Sequence, residues 1–247
     1  MGARSIVLYS HRGGTGKTTL LANMAVLIAA AGHRVALVDT DIQSPALDVV
    51  LKLPPGECSL TDYLLGRCEI EDAAHRVGPE GLYVVPARTS SSSLAEIRSS
   101  GYDVGLLPEA FDRLAAVHDL DVLLLDTHAG LNNETLAAMA SADVLLIALR
   151  PDRIDLTGAD ETSPLTARLG CRRALVINMA PEGVDLERVR ERAEGAYGAP
   201  TAGVLPYVGQ LAALGGERLF AEACPGHPLV AELRKIISTL VPNLGET

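Results

Sequence analysis

The sequence predicts an α/β fold in one domain, with a mostly parallel sheet of about seven or eight strands flanked by helices. Three observations predict it. Short apolar runs alternate with helix-length segments along the 247 residues, the signature of strand-helix-strand units. Most of the runs lack polar alternation, as strands do when helices cover both faces of a sheet. No internal repeat and no long linker divides the chain, so residues 1–247 are expected as a single domain. With 48% hydrophobic residues it can bury a large core.

The first strand is expected over Ser5–Tyr9, because Ile6 to Tyr9 is an uninterrupted apolar run. A helix follows over Lys17–Ala31, with Gly32 as its C-terminal cap. Strands over Arg34–Val38 and Leu82–Pro86 bracket a helix around Leu60–Leu65. Residues 88–105 hold a four-serine run, Ser90 to Ser93, and a second pair, Ser99 and Ser100. That polarity and length predict a variable surface loop or insertion. Beyond it, strands over Val122–Leu125, Val144–Leu149, Ala174–Ile177 and Thr201–Leu205 are expected. Helices are expected around Glu109–Val117, Asn133–Ala140, Asp160–Leu169 and Leu186–Ala196. In the last helix, Leu229–Leu240, one stripe carries Leu229, Leu233, Ile236, Ile237 and Leu240. Only Arg234 and Lys235 stand beside that stripe, with Glu232 opposing them, so packing on the domain is expected and membrane anchoring is not.

Between the first strand and the first helix the chain reads Ser10-His11-Arg12-Gly13-Gly14-Thr15-Gly16-Lys17-Thr18-Thr19. This is a phosphate-binding loop, and it makes the fold a P-loop NTPase. Gly13, Gly14 and Gly16 allow backbone conformations that turn successive N–H groups, Thr15 included, into one cavity. Lys17 adds a cation at the β- and γ-phosphates, and Thr18 offers a hydroxyl to Mg²⁺ beside Thr19 at the positive end of the helix. The general pattern would place its first glycine at His11. Here a basic residue, Arg12, directly precedes the glycine pair instead.

In that respect the loop resembles the deviant Walker A motif of the ParA and MinD family of partition and positioning ATPases, Lys-Gly-Gly-x-Gly-Lys-Thr. Arg12 stands where that family has its signature lysine. The resemblance runs from the first strand through Pro206, leaving residues 88–105 without a counterpart. It implies that Arg12 reaches across a nucleotide-sandwich homodimer to the partner's phosphates; arginine keeps the charge and can bind phosphate bidentately.

Two carboxylates, Asp39 and Asp41, follow the second strand, and the carboxyl ends of parallel strands line the ligand crevice. The family resemblance implies that Asp39 supports the Mg²⁺ environment and that Asp41 orients or activates the attacking water. Four apolar residues lead into Asp126, a Walker B pattern whose carboxylate would hold a Mg²⁺-bound water or the P-loop hydroxyl. Gly130 can free an N–H toward the γ-phosphate. His128 fills the proline position of the family's Asp-x-Pro-Ala-Gly, and is expected to be merely exposed. Resemblance further implies that Asn178 binds adenine, with Pro206 and Tyr207 beside the base, and that Arg150, Asp152 and Arg153 lie on the dimer face. Asn178-Met-Ala-Pro lacks the Asn-Lys-x-Asp of a guanine reader, so adenine is favoured.

The remaining features narrow the function. A net charge of −10 disfavours a uniformly nucleic-acid-binding surface. Arg188, Arg190 and Arg192 are interleaved with Glu187, Glu191 and Glu194, so nonspecific DNA binding is possible but not favoured. Cys58, Cys68, Cys171 and Cys224 have no metal-finger spacing and are expected reduced and partly buried. No cysteine stands between Cys68 and Cys171 to bridge an iron–sulfur cluster as in nitrogenase iron proteins. No run approaches the roughly 18 apolar residues of a membrane span, and Met-Gly-Ala-Arg-Ser leads directly into the first strand, so a cytoplasmic protein is expected. The expected activity is that of a slow, partner-stimulated, Mg²⁺-dependent ATP hydrolase acting as a dimerisation switch to position or segregate a cargo through an activator or cargo protein. Two alternatives stand beside it: a nucleotide-gated regulatory module with negligible hydrolysis, and a small-molecule ligase or kinase on the same fold.

Overall fold

Strands form where the apolar runs are, and they pair so that every run is covered on both sides. In the computed structural model, which describes residues 2–56 and 58–242, the strands are β1 Arg4–Tyr9, β2 Val35–Asp39, β3 His75–Arg76, β4 Leu82–Val85, β5 Val122–Asp126, β6 Val144–Leu149, β7 Arg172–Ala180 and β8 Thr201–Pro206. They make an eight-stranded sheet in the order β3-β4-β2-β5-β1-β6-β7-β8. All neighbours are parallel except β3 and β4. The helices are α1 Lys17–Ala30, α2 Leu47–Val50, α3 Leu60–Leu64, α4 Ser91–Ser100, α5 Leu106–His118, α6 Asn133–Ala140, α7 Arg153–Thr157, α8 Ala159–Thr166, α9 Leu186–Tyr197, α10 Gly209–Ala213, α11 Phe220–Ala223 and α12 Pro228–Leu240.

Alternate residues of each central strand enter two different cores. Ile6 and Leu8 of β1, with Val35, Leu37, Val122 and Leu124, pack against α1, α11 and α12. Val7 and Tyr9, with Ala36, Val38, Leu123 and Leu125, pack against α3, α5, α6 and α9. At about 1.5–3 kcal/mol for each large apolar side chain removed from water, these two layers supply most of the favourable folding energy. Helix α1 packs on the sheet and is flanked by α2, α11 and α12, and Leu20 through Ala29 are all buried, leaving the helix without a polar stripe. The expected stripe of α12 is likewise buried: Leu229, Leu233, Ile236, Ile237 and Leu240 all face the core. Among the described residues no helix is long and apolar enough to cross a membrane, and the four cysteines are free.

The segment expected as a loop over 88–105 instead contains α4. Ser90 has extended backbone geometry and its Oγ accepts from Ser93 N at 3.1 Å, so the serine run supplies a helix cap and first turn. Helix α5 begins earlier than Glu109, with Pro108 in its first turn, where no N–H partner is needed. The two-residue strand β3 and the short helices α2, α7, α10 and α11 had no periodic signal to announce them.

Candidate functional site

The carboxyl ends of β1, β2 and β5 meet at residues Ser10 to Gly16. At Gly14 and Gly16 φ is 77° and 84°, left-handed values that a side chain disfavours. Gly16 is doubly constrained, since a Cβ there would come within 2.7 Å of Asn178 Nδ2. Gly16 also begins α1, and the first turn of α1 contains no acidic side chain, leaving its free N–H groups and the positive end of its dipole for an anion. Lys17 Nζ donates to Ser10 Oγ at 2.9 Å, and Ser10 Oγ donates to Arg12 O at 2.8 Å. A cavity of about 340 Å³ opens here, lined by Gly13, Gly14, Lys17, Thr18, Asp41 and His128 among others.

One carboxylate, Asp41, lines that cavity, and two buried ones, Asp39 and Asp126, stand behind it. Asp126 Oδ2 accepts from Thr18 Oγ1 at 2.5 Å, while Asp126 Oδ1 is buried with no protein partner. Burial pushes the Asp126 carboxyl up to about 6, against the Thr18 hydroxyl and the Lys17 charge. Burial also lowers the Lys17 ammonium from its ordinary value, opposed by Asp126 and Asp41. Asp39, paired in register with Asp126, accepts from the backbone N–H groups of Asp41, Ala46 and Leu47 at 3.0–3.2 Å. Its carboxyl is raised well above the ordinary range, first by burial and then by the Asp126 charge. Asp39 therefore shapes the loop that carries Asp41. Asp41 accepts from Ser44 N at 2.9 Å and meets His128 Nδ1 at 3.0 Å.

The start of the loop is braced from the other side by residues 152–162. Arg12 Nε donates to Asp155 Oδ1 at 2.6 Å, and Arg12 also pairs with Asp152. Asp155 is buried and accepts a second hydrogen bond from Arg150 N at 2.7 Å, while Asp152 caps α7 by accepting from Ile154 N and Asp155 N. Tyr9 OH lies 3.2 Å from Thr162 Oγ1. His11 occupies the space that a Cβ on Gly158 would fill, at 2.5 Å. Arg153 is exposed.

A second, apolar cavity of about 110 Å³ adjoins Gly16 and is lined by Asn178, Met179, Pro206, Tyr207, Leu205 and Phe220 among others. Asn178 Nδ2 donates to Thr15 O at 2.8 Å. A register irregularity between Ile177 and Ala180, with Met179 at φ 57°, aims Asn178 toward the loop. Behind it the buried Asn23 ties α1 to α11, accepting from Ala221 N at 2.7 Å.

A protein family described as an AAA domain matches residues 3–169. An ATP-binding protein of Methanocaldococcus jannaschii is 32% identical over 246 residues, 97% of this chain and 88% of the relative. The cell division ATPase MinD of Pyrococcus furiosus superposes with a TM-score of 0.83 at 26% identity, over 99% of this chain and 100% of that one. The chain belongs to the ParA/MinD family of ATPases. MinD of Pyrococcus horikoshii, solved with Mg-ADP, has the same fold, with a TM-score of 0.84 over 98% of each chain at 24% identity.

Within the ParA/MinD frame, the residues expected to act together divide into two groups. Gly13, Gly14, Lys17, Thr18 and Asp41 line the larger cavity, with the buried Asp39 and Asp126 behind it, Asn178, Pro206 and Tyr207 line the smaller one, and Gly16 and Thr19 line both. Arg12 points to Asp152 and Asp155 of its own chain. Among the described residues no three His, Cys, Asp or Glu side chains are placed to hold a metal together. The hydroxyl of Thr18 and the unpartnered Asp126 Oδ1 suit a hard cation that takes few protein ligands and keeps water, as Mg²⁺ does. Sequence reasoning missed Asp155, the Tyr9–Thr162 contact and the His128–Asp41 contact. All three are long-range pairings with no local signature.

Proposed function

We propose that this chain is a Mg²⁺-dependent ATPase of the ParA/MinD type, which dimerises face to face with ATP between subunits, resets on hydrolysis, and positions or segregates a cellular cargo. One observation carries the reading: a glycine-built anion cradle, a half-buried lysine and the Thr18 hydroxyl line one cavity, and behind it Thr18 is bonded to the buried Asp126, which keeps one unpartnered carboxylate oxygen. The adjoining apolar slot, with Asn178 at its edge, fits a purine.

In this mechanism the backbone N–H groups of Gly13 to Lys17 hold the phosphates, and Lys17 exchanges Ser10 Oγ for phosphate oxygens. Its ammonium, desolvated before the nucleotide arrives, gains most when charge develops nearby. Thr18 and Asp126 would hold Mg²⁺, directly and through water, and the ion would supply neutralisation of the β- and γ-phosphate charge. Asp41 orients water. Arg12 stands at the rim already fixed and charged, as the residue that would meet a partner's phosphates. Support for a face at this rim comes from Leu131 and Ile154, 41% and 57% exposed, on segments hydrogen-bonded to or abutting the loop.

The pairing of Arg12 with two aspartates of its own chain favours one second reading, a nucleotide-gated module that hydrolyses negligibly. Light-scattering chromatography with Mg²⁺ and ADP, ATP or a nonhydrolysable analogue, beside Asp41→Ala with ATP, tests the choice. A dimer seen only with triphosphate, with phosphate release by the wild type, is the expected result. Unchanged mass despite demonstrated ATP binding would sink the switch.

A further inference from the structure

Every group that touches Asp41 bears on the proposed reaction, because that residue lies in the loop after β2 and faces the phosphate cavity with Lys17 and Thr18. Its Oδ1 accepts from Ser44 N at 2.9 Å. Its Oδ2 has a single hydrogen-bonding partner among the described residues, His128 Nδ1 at 3.0 Å, and the same nitrogen is 3.0 Å from Oδ1. An ionised carboxylate can only accept, so Nδ1 carries the ring proton in this pair. His128 also lines the cavity.

The segment that presents His128 is fixed on both sides. Thr127 Oγ1, buried, donates to Leu8 O at 2.8 Å, and Gly130 N donates to Ser10 O at 2.9 Å. The backbone of the loop carrying Asp41 is held by its neighbours, Thr40 bonding to Asp126 O at 2.8 Å and Asp39 accepting from the N–H groups of Asp41, Ala46 and Leu47, but the carboxylate of Asp41 itself relies on Ser44 and His128. A side chain from a pinned loop therefore holds a carboxylate whose own loop ties it only through Ser44 N.

We propose that His128 is a positioning residue for Asp41: its Nδ1–H fixes the carboxylate at the mouth of the phosphate cavity, in the orientation that aligns attacking water. This inference rests on the ATPase reading above. It differs from a direct phosphate-binding role, in which the imidazole would raise nucleotide affinity. Holding a water-orienting group in place acts on turnover and leaves ground-state binding alone.

The test compares wild type, His128→Phe, His128→Asn, Asp41→Asn and the Asp41→Asn/His128→Phe double variant, measuring phosphate release and binding of a fluorescent ATP analogue. His128→Phe keeps the bulk and removes the donor; His128→Asn restores an N–H at nearly the position of Nδ1. We expect kcat to fall about tenfold in His128→Phe with nucleotide Kd unchanged within about twofold, and His128→Asn to recover most of the loss. The double variant should be no slower than Asp41→Asn alone, because the histidine acts through Asp41. Independently of activity, ¹⁵N-histidine spectra of nucleotide-free protein should show a protonated Nδ1 for His128, assigned by its loss in His128→Phe, and that resonance should move in Asp41→Asn. Weakened nucleotide binding with unchanged kcat would overturn the inference, as would an unprotonated Nδ1. If wild type hydrolyses ATP, Asp41→Asn abolishes it and His128→Phe matches wild type, the inference fails alone. A wild type without turnover would instead remove the ATPase reading itself.

Discussion

Asp155→Asn replaces one carboxylate oxygen with an amide nitrogen at nearly constant volume, at a side chain only 2% exposed. Oδ1 accepts from Arg12 Nε at 2.6 Å and Oδ2 from Arg150 N at 2.7 Å. Whichever way the amide settles, one of these donors faces an NH₂ group. A buried donor left unpaired costs about 1–3 kcal/mol. Breaking a fully buried ion pair costs about 3–5 kcal/mol. Arg12, however, keeps Asp152 and is 27% exposed, so water screens what is lost. The expected destabilisation is therefore about 2–3 kcal/mol. Denaturant titration of the nucleotide-free protein would show it as a lower midpoint at constant slope. Arg12→Ala and the double variant complete a cycle, and the coupling should be at least about 1 kcal/mol. A loss under about 0.5 kcal/mol, or strict additivity, would refute the idea that α7 braces the phosphate loop through Arg12.

Asp126 has a folded-state pKa near 6, above its ordinary carboxylate value because it is buried. Its protonation therefore favours the fold below about pH 4, and that contribution is lost as pH rises to about 6; in chelator, Asp126→Asn should gain stability relative to wild type between pH 4.5 and 7 on urea titration, and a flat difference would contradict the assignment. Gly16→Ala should lose more than about tenfold in ATP affinity by calorimetry, since φ is 84° and the new Cβ would meet Asn178 at 2.7 Å; retained affinity would remove Gly16 from the cradle. Ile236→Ala, at a fully buried position of α12, should cost about 2–5 kcal/mol in the denaturant midpoint; a loss below about 1 kcal/mol would mean that α12 is not docked on the sheet.

Legibility in the sequence followed the range over which each feature is encoded. Strands such as Val144–Leu149 and helices such as Asn133–Ala140 were readable to the residue, because a buried parallel strand or a capped helix writes its pattern locally. The phosphate loop was readable because its chemistry sits in consecutive residues. Serines 90 to 93 misled for a physical reason: serine is equally at home in a loop and at a helix start, and which holds depends on whether its oxygen finds the N–H three residues on. The lining of the smaller cavity by Leu205 and Phe220 was hidden among core residues of the same composition. Asp155 was hidden more completely, since nothing in Asp152-Arg153-Ile154-Asp155 says which carboxylate is buried.

Arg12 and His128 depart from the family motif at separate points in the sequence, and there they look like unrelated tolerances. The structure gives them a common logic. Each adds a nitrogen donor at the rim of the phosphate cavity, and each is matched to a carboxylate far along the chain: Arg12 to Asp152 and Asp155, His128 to Asp41. An unmatched arginine or imidazole there would have to be satisfied by solvent or would compete with Lys17 for the anion. The matching acids hold both residues in fixed orientations before any anion arrives. The two pairings nevertheless act in opposite ways on nucleotide. In the proposed mechanism Arg12 would have to trade Asp155 for a partner's phosphate, which would make its pair a barrier to be overcome, whereas His128 would keep Asp41 throughout, which would make its pair part of the finished site. Loosening the first pair should therefore favour dimerisation, and loosening the second should only slow turnover; oligomeric mass and phosphate release measured on Asp155→Asn and His128→Phe would separate the two.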